Sequence, residues 1–555
     1  RHGGGGVGQT PDLWDNSYFD GNYFHNGEIV PAKGFCTDVF FSKAHDFIKE
    51  KAATKEPFLA YISLNAPHGP LHCPQKYMDL YKDQKPNVAA FFGMISNIDT
   101  NVGATRKLIA DLGISDNTIF IFTTDNGTAG GDKVFNAGMR GKKGSPYDGG
   151  HRVPMFIHWP NAGLNQHREI DTLCHAVDVV PTLLKAGKVP NSAGVKFDGT
   201  SLFDLLDPNT DVEWADRFLV TDSQRVVDPI KWKSSSVMST QYRLINGKEL
   251  YNIKADPGQK KDIAKKNPEQ VAKMRDFYDK WWADISPSFS QTTEIYLGHP
   301  NDPVSTLTAH DWLNASPPWN QGHIRRGDAY NNKKHANQKK HTGHWAVKVV
   351  TDGTYEISAL RWPAEANHPI NAGLPAGKNV PGSTKAFRTN VGQALPITQA
   401  TLRLNGKDIE TKPVTNKNTS ITFTAKLTKG SHQLAPVFLH EKGEVGAYYV
   451  VVKKPRSKGA VEPRGLASQV FPQYGASASP PFTIQISLFK YQSSNAFLLN
   501  LLENSRHTDG EEMIDEILAM GFDTLELSHG MTIAKLPGIQ QAFAAGKFKC
   551  VGVHN

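Results

Sequence analysis

Apolar residues spaced three and four apart mark two helices early in the chain. Phe40, Phe41, Ala44, Phe47 and Ile48 share one face of residues 38–50, and Thr37 or Asp38 is placed to cap that helix. Ile95, Ile98, Val102, Thr105, Ile109 and Leu112 repeat the spacing, and Gly113 is a natural C-terminal stop. Unbroken apolar runs lie around them, at Phe58 to Leu64, Thr118 to Thr123 and Val153 to Trp159. Such runs read as strands buried on both faces, as in a parallel sheet. Residues 175–186 predict a further helix that contains Pro181. Helices alternating with strands predict an α/β domain with a largely parallel sheet.

From about residue 290 the texture changes. Residues 298–345 show little periodicity and many Pro, Asn, His and Trp. Short alternating segments follow to residue 453, such as Trp345 to Val350 and Tyr355 to Leu360, with Asp352-Gly353 and Asn405-Gly406 as turns. They predict a β-sandwich module. Residues 454–481 are rich in Pro, Ser, Gly and Ala and read as a linker. Beyond it, Thr508 to Glu511 is a candidate capping box, residues 522–527 and 549–553 read as strands, and 532–545 as a helix. The expected domains are 1–290 (with a C-terminal subdomain from about 195), 291–453, the linker 454–481, and 482–555.

Composition narrows the function classes. The chain has 555 residues, enough for three or four domains at roughly 150 residues each. Hydrophobic residues make 39% and charged residues 21%, which is the composition of a globular chain. Four Cys exclude a disulfide scaffold, and no C-x-x-C pair or Cys/His zinc spacing occurs. The net charge of +8 permits anionic partners but is too mild at this length to demand nucleic acid. No apolar stretch approaches the roughly 18 residues of a membrane helix, so no membrane partner is expected. Arg1 opens a glycine-rich loop and Val551 to Asn555 reads as a strand with nothing after it, so the chain is expected to be a piece of a longer one.

In open parallel sheets ligands bind beyond the carboxyl ends of the strands. The loop after residues 58–64 holds His68 between two prolines, and the loop after 118–123 holds Asp125 and Asn126. An Asp beside an Asn offers hard oxygen donors suited to Ca²⁺ or Mg²⁺, although Asn-Gly is also an ordinary turn pair. Residues 138–154 form a basic, glycine-rich loop whose backbone can approach an anion closely. It is not a phosphate-binding Walker A loop, because Gly-x-x-x-x-Gly-Lys-Ser/Thr is absent. Residues 3–8 match Gly-x-Gly-x-x-Gly, but no strand precedes them.

Five motifs in order give residues 1–290 a family resemblance: Gly5-Gly6-Val7-Gly8-Gln9-Thr10-Pro11-Asp12, Tyr23-Phe24-His25-Asn26-Gly27, Ala66-Pro67-His68-Gly69-Pro70, Thr124-Asp125-Asn126-Gly127, and Arg140 through Pro154. Glu249-Leu250-Tyr251-Asn252 with Asp256-Pro257-Gly258 adds a sixth. The segment resembles the sulfatases of the alkaline-phosphatase superfamily. The resemblance implies an alkaline-phosphatase-like sheet flanked by helices, sulfate-ester hydrolysis, a Ca²⁺ cofactor and a formylglycine nucleophile. It implies that Asp125 and Asn126 are two ligands of the Ca²⁺, that Lys143 grips the sulfate ester, and that His68 stands near the leaving oxygen as general acid. The implied partner is a sulfated small molecule or glycan, and the implied location is periplasmic or secreted.

The family makes formylglycine from a C/S-x-P-x-R motif. Cys36, Cys73, Cys174 and Cys550 are not in that context and no Ser version occurs, so the motif is expected upstream and the chain alone is expected to be inactive. Two alternatives stand beside this reading. One is a phosphatase or phosphodiesterase of the same superfamily using paired zinc ions. The other is a non-catalytic glycan-binding protein that works through the β module, with Arg325, Arg326, Lys333, Lys334, Lys339 and Lys340 as either a polyanion contact or a solvated loop. Gly521 to Leu527 and Val551 to Asn555 resemble the start of a xylose-isomerase-like TIM barrel, in which Glu526 and His554 would sit near strand ends.

Overall fold

Strict alternation decides where the largest core forms. In Trp345–Val349 and Ile421–Leu427 every second residue is buried, and the residues between are wholly or partly exposed. That is the pattern of strands with one face on a core. The computed structural model describes residues 7–455 except 27, 192–193, 208, 211, 213, 225, 227, 301, 314–316, 327–341, 380–386 and 442. Beyond them it describes the backbone of four strands, Phe489–Tyr491, Ser494–Leu498, Phe522–Leu527 and Lys549–Val553. The chain divides into two units, residues 1–101 with 292–555, and residues 102–291.

The first unit holds the expected β sandwich. One sheet runs Gly443–Gly446, Val437–His440, Ile397–Leu404, Gly430–Leu434, Trp345–Val349 and Ile295–Leu297, with Lys407–Pro413 folded back on Ile397–Leu404. The other runs Val304–Thr308, Tyr449–Lys453, Gly353–Leu360 and Ile421–Leu427. Ile295–Leu297 pairs parallel to Trp345–Val349; the other described ladders of these two sheets are antiparallel. Val347 and Val349 of the first sheet share one hydrophobic core with Ile357 and Phe423 of the second. Asn405 and Gly406 turn the hairpin at φ 49° and 76°, the positive pair that a two-residue hairpin turn favours.

The front of the chain is bonded into this module. Gln321 is the hub: its side-chain amide donates to the carbonyls of Asp12 and Leu13, its side-chain oxygen accepts from the Asp15 amide, and its own amide donates to Gly8 O. Tyr449 donates to Thr10 O at 3.3 Å, and Arg325 donates to Asp15 at 2.5 Å with its guanidinium over the Trp14 ring. Arg325 is 1% exposed, so the first cation of the predicted basic cluster is an internal bond-maker. Lys333, Lys334, Lys339 and Lys340 lie outside the described residues.

The same unit contains the helix Cys36–Thr54, which buries Phe41 and Ile48 as predicted. Its capping differs from the expectation. The N-cap is Phe35, with no side-chain bond, and Asp38 sits in the first turn. There Asp38 accepts 2.8 Å hydrogen bonds from the side-chain amides of Asn97 and Asn101, so a tertiary contact takes the carboxylate a cap would have used. The helix Pro86–Asp111 ends before Gly113, which adopts φ 68°. Among the described residues no helix is long and apolar enough to cross a membrane.

In the second unit, Phe120–Thr123 pairs with Met155–His158, and four antiparallel strands follow: Leu219–Asp222, Ser235–Met238, Tyr242–Ile245 and Glu249–Asn252. Val237, Leu244 and Leu250 from these strands pack with Val271, Met274 and Tyr278 of the helix Pro268–Ile285. The chain is therefore mixed α/β, but the largely parallel sheet expected in residues 1–290 is corrected. Every described strand pair there is antiparallel, and residues 58–64 pair with no strand among the described residues. An apolar run reports that both faces of a segment avoid water; it does not name the neighbour that completes a ladder.

At the other end, Phe522–Leu527 and Lys549–Val553 form at the predicted bounds and pair parallel. Ser494–Leu498 joins them in parallel and Phe489–Tyr491 in antiparallel. The candidate capping box at 508–511, the helix expected at 532–545, and His554 lie outside the described residues, as does the side chain of Glu526.

Candidate active site

Three of the four predicted site residues fall in the second unit, and backbone bonds gather them. The Gly127 amide donates to Gly150 O at 2.9 Å, and the Lys143 amide donates to Thr128 O at 2.9 Å. The turn carrying Asp125 and Asn126 is thereby stitched to the loop carrying Lys143. Glycine is required at the seam: a Cβ on Gly127 would run into the carbonyl oxygen of Gly149, and one on Gly150 into that of Ser145. This explains the glycines around Asp148 by close backbone approach.

Asp125 is exposed and Asn126 half-buried, and the Asn126 amide donates to Asp125 Oδ2. Their oxygens fit a hard cation in kind. In number they do not complete one. Ca²⁺ takes about six to eight oxygen ligands, and among the described residues no group of three or more His, Cys, Asp or Glu could hold a metal. They fit as two members of a Ca²⁺ shell.

Lys143 is half-buried, and among the described residues no carboxylate lies within ion-pair distance of it. Its neighbour Lys142 faces Asp132 at 3.4 Å. An uncompensated ammonium in a glycine-rich loop is suited to an anion that arrives from solution.

The two ends of this loop are anchored on the antiparallel strands of the same unit. The Arg140 guanidinium lies 3.8 Å over the Tyr147 ring and donates to Tyr251 Oη and Gln259 O, each at 3.0 Å. Tyr147 and Tyr251 both donate to Glu249 Oε2, at 2.8 and 2.5 Å. Burial, reinforced by Glu249, pushes both phenols above their ordinary pKa, so they remain protonated donors. Asp148 is fully buried; Arg243 Nε donates to it at 3.0 Å, and its amide donates to Gln259 Oε1 at 2.8 Å. Burial also pulls His151 below its ordinary value against the pull of Asp148, which favours neutral imidazole. Arg140, Arg243, Glu249 and Gln259 were not singled out by sequence reasoning. Arg140, Glu249 and Tyr251 stand inside quoted motifs, but the contacts that join Arg140 and Tyr147 to Tyr251 and Glu249 span more than a hundred residues.

His68 belongs to the first unit. Its ring is exposed, and Nδ1 lies 2.7 Å from Gly69 O. A carbonyl can only accept, so Nδ1 carries the proton in that bond and Nε2 is left for another partner. Tyr18 Oη donates to the His68 carbonyl at 3.3 Å. Of the cysteines, Cys36 and Cys73 are buried, and burial pushes both thiols up to about 12, away from the thiolate.

Comparison with known proteins follows these motifs. The sulfatase family profile matches residues 6–189, and the profile of the C-terminal part of N-sulphoglucosamine sulphohydrolase matches residues 142–279. The chain is 26% identical over 314 residues to the "uncharacterized sulfatase YdeN" of Escherichia coli (strain K12), covering 50% of this chain and 56% of that protein. It is 32% identical over 174 residues to N-acetylgalactosamine-6-sulfatase of Canis lupus familiaris, covering 30% of this chain and 31% of that enzyme. Among solved structures, Ps i-CgsB in complex with k-i-k-neocarrahexaose is 26% identical, with a TM-score of 0.42 over 49% of this chain and 60% of that one. The chain thus spans between about a third and just over half of the curated relatives' length.

Proposed function

The chain carries a sulfatase-family segment at residues 6–189, and from that premise we propose that it serves sulfate-ester hydrolysis, with a sulfated carbohydrate or aryl sulfate as substrate. The observation that carries the reading is the backbone seam Gly127–Gly150 with Thr128–Lys143, which holds two oxygen donors and an uncompensated ammonium on adjoining loops. Lys143 takes the sulfate oxygens, whose negative charge the ammonium neutralises as the ester bond lengthens. Asp125 and Asn126 are two oxygen ligands of Ca²⁺, which supplies further positive charge to the sulfate when bound.

His68 is the proposed proton donor to the leaving oxygen. With Nδ1 tied to Gly69 O, its Nε2 proton in the imidazolium form is the one available for transfer. The formylglycine nucleophile that the family implies has no C/S-x-P-x-R counterpart among these 555 residues. Sulfated anions are also a fitting partner for the +8 charge. A periplasmic or secreted location and an isomerase-like barrel segment at residues 482–555 are part of the same proposal.

Calorimetry with 4-nitrocatechol sulfate in millimolar Ca²⁺ tests the reading. Wild-type chain should bind, and Lys143→Ala should lose about tenfold or more in affinity, the loss expected when a charged hydrogen-bond donor is removed. Equal affinities, or a preference for the corresponding phosphate ester, overturn it. Turnover of the aryl sulfate by the chain alone would show that the nucleophile is not the expected one.

A further inference from the structure

We propose that Glu249 is a positioning residue of the Lys143 loop: one carboxylate clamps the side chains on both sides of the loop and, together with the backbone seam, holds Lys143 for an anion. This rests on the sulfatase reading only for what Lys143 binds.

Residues 140–150 contain Gly141, Gly144, Gly149 and Gly150. A segment so rich in glycine has much backbone freedom to lose. Part of the restraint is its own: the Ser145 amide donates to Lys142 O and the Gly149 amide to Arg140 O, each at 2.8 Å. The rest comes from outside it. Tyr147, four residues after Lys143, donates its hydroxyl to Glu249 Oε2 at 2.8 Å. Arg140, three residues before Lys143, reaches the same oxygen at 3.9 Å and donates to Tyr251, whose hydroxyl donates to that oxygen at 2.5 Å. Arg140 also lies on the Tyr147 ring at 3.8 Å, so the two sides of the loop touch each other over the carboxylate. Glu249 itself is fixed in the strand Glu249–Asn252, paired with Tyr242–Ile245.

Charge supports the same role. Arg140 is three residues from Lys143, and a free guanidinium there would compete for the same anion. The side chains of Arg140 and Glu249 are 44% and 36% exposed, so their ion pair alone stabilises little. Its effect is selective: Glu249 and the two phenols occupy the guanidinium, which leaves Lys143 as the loop's uncompensated cation among the described residues. Asp148 and Arg243 hold the loop's far end separately, so removing Glu249 should loosen the loop without unfolding the strands beneath it.

The test uses the full chain as wild type, Glu249→Ala and Glu249→Gln. Hydrogen exchange of the peptides covering residues 138–152, and the rate of Lys143 acylation by an N-hydroxysuccinimide ester, read the clamp directly. Glu249→Ala should speed both by about tenfold, while exchange in Tyr242–Ile245 stays at the wild-type rate. Glu249→Gln should restore most of the protection, because its amide oxygen still accepts from both tyrosines. Affinity for 4-nitrocatechol sulfate in Ca²⁺ should fall with Glu249→Ala in step with the exchange. Unchanged exchange and acylation in Glu249→Ala overturn the clamp. Faster exchange with unchanged affinity overturns its role in positioning Lys143. A wild type that does not bind the sulfate ester, with the exchange result intact, overturns the sulfatase reading and leaves the clamp standing.

Discussion

Phe423 and Phe156 both sit in short antiparallel strands, and their surroundings could hardly differ more. Phe423 is 0% exposed between the two sheets of the sandwich; Phe156 is 67% exposed on the pair Phe120–Thr123 and Met155–His158. The sandwich strands alternate inward and outward residues, and each inward residue meets an opposing sheet. The strands Phe120–Thr123 and Met155–His158 are apolar except for Thr123 and His158 at their ends, yet none of their residues is buried. The first pattern carries its own solution, since one face is apolar and one polar. The second asks for cover on both faces and, among the described residues, receives it incompletely.

This contrast can be broken by mutation. The largest effect should come from Phe423→Ala, which empties a closed core and should cost about 3–5 kcal/mol. Denaturant unfolding followed by hydrogen exchange of the sandwich strands measures it; a cost under about 1 kcal/mol would mean that the core is not closed.

A smaller effect should come from titration. Asp311, in the sandwich unit, keeps part of its residue surface in contact with solvent, yet its carboxyl is enclosed by protein atoms and burial pushes it up to about 7. Its folded-state pKa lies above the unfolded value, so its charge costs stability as pH rises from about 4 towards 7. Asp311→Asn should therefore stabilise the chain more at pH 8 than at pH 5, by on the order of 1–2 kcal/mol. A gain independent of pH would show that the carboxyl titrates normally.

The smallest effect should be that of Phe156→Ser, within about 0.5 kcal/mol in the isolated chain, as for a surface position. If it destabilises as much as Phe423→Ala, the two regions do not differ as described.

Much of this was legible in advance. The helices at 38–50 and 95–112 showed in their three-and-four spacing, and the strands of the sandwich in their alternation. The site loops showed as an Asp-Asn-Gly turn and a basic glycine-rich segment. Strand partners and directions were not legible, because pairing is a property of two segments. Tyr147 and Glu249 lie 102 positions apart, so nothing local to either announces their bond. The same holds for Gln321, which lies in an aperiodic stretch and binds the front of the chain. Asp38 shows the opposite error, in which a locally sensible cap lost its carboxylate to two asparagines on another helix.

The bond from Tyr449 to the Thr10 carbonyl joins positions 439 apart. A ribosome adding about 5–20 residues per second needs roughly 20–90 s to travel that distance. During that interval Thr10, Leu13 and Trp14 have emerged, but the strand and the helix that receive them do not yet exist. These native partners of the early segment are therefore made well after it, a delay written into the order of the elements.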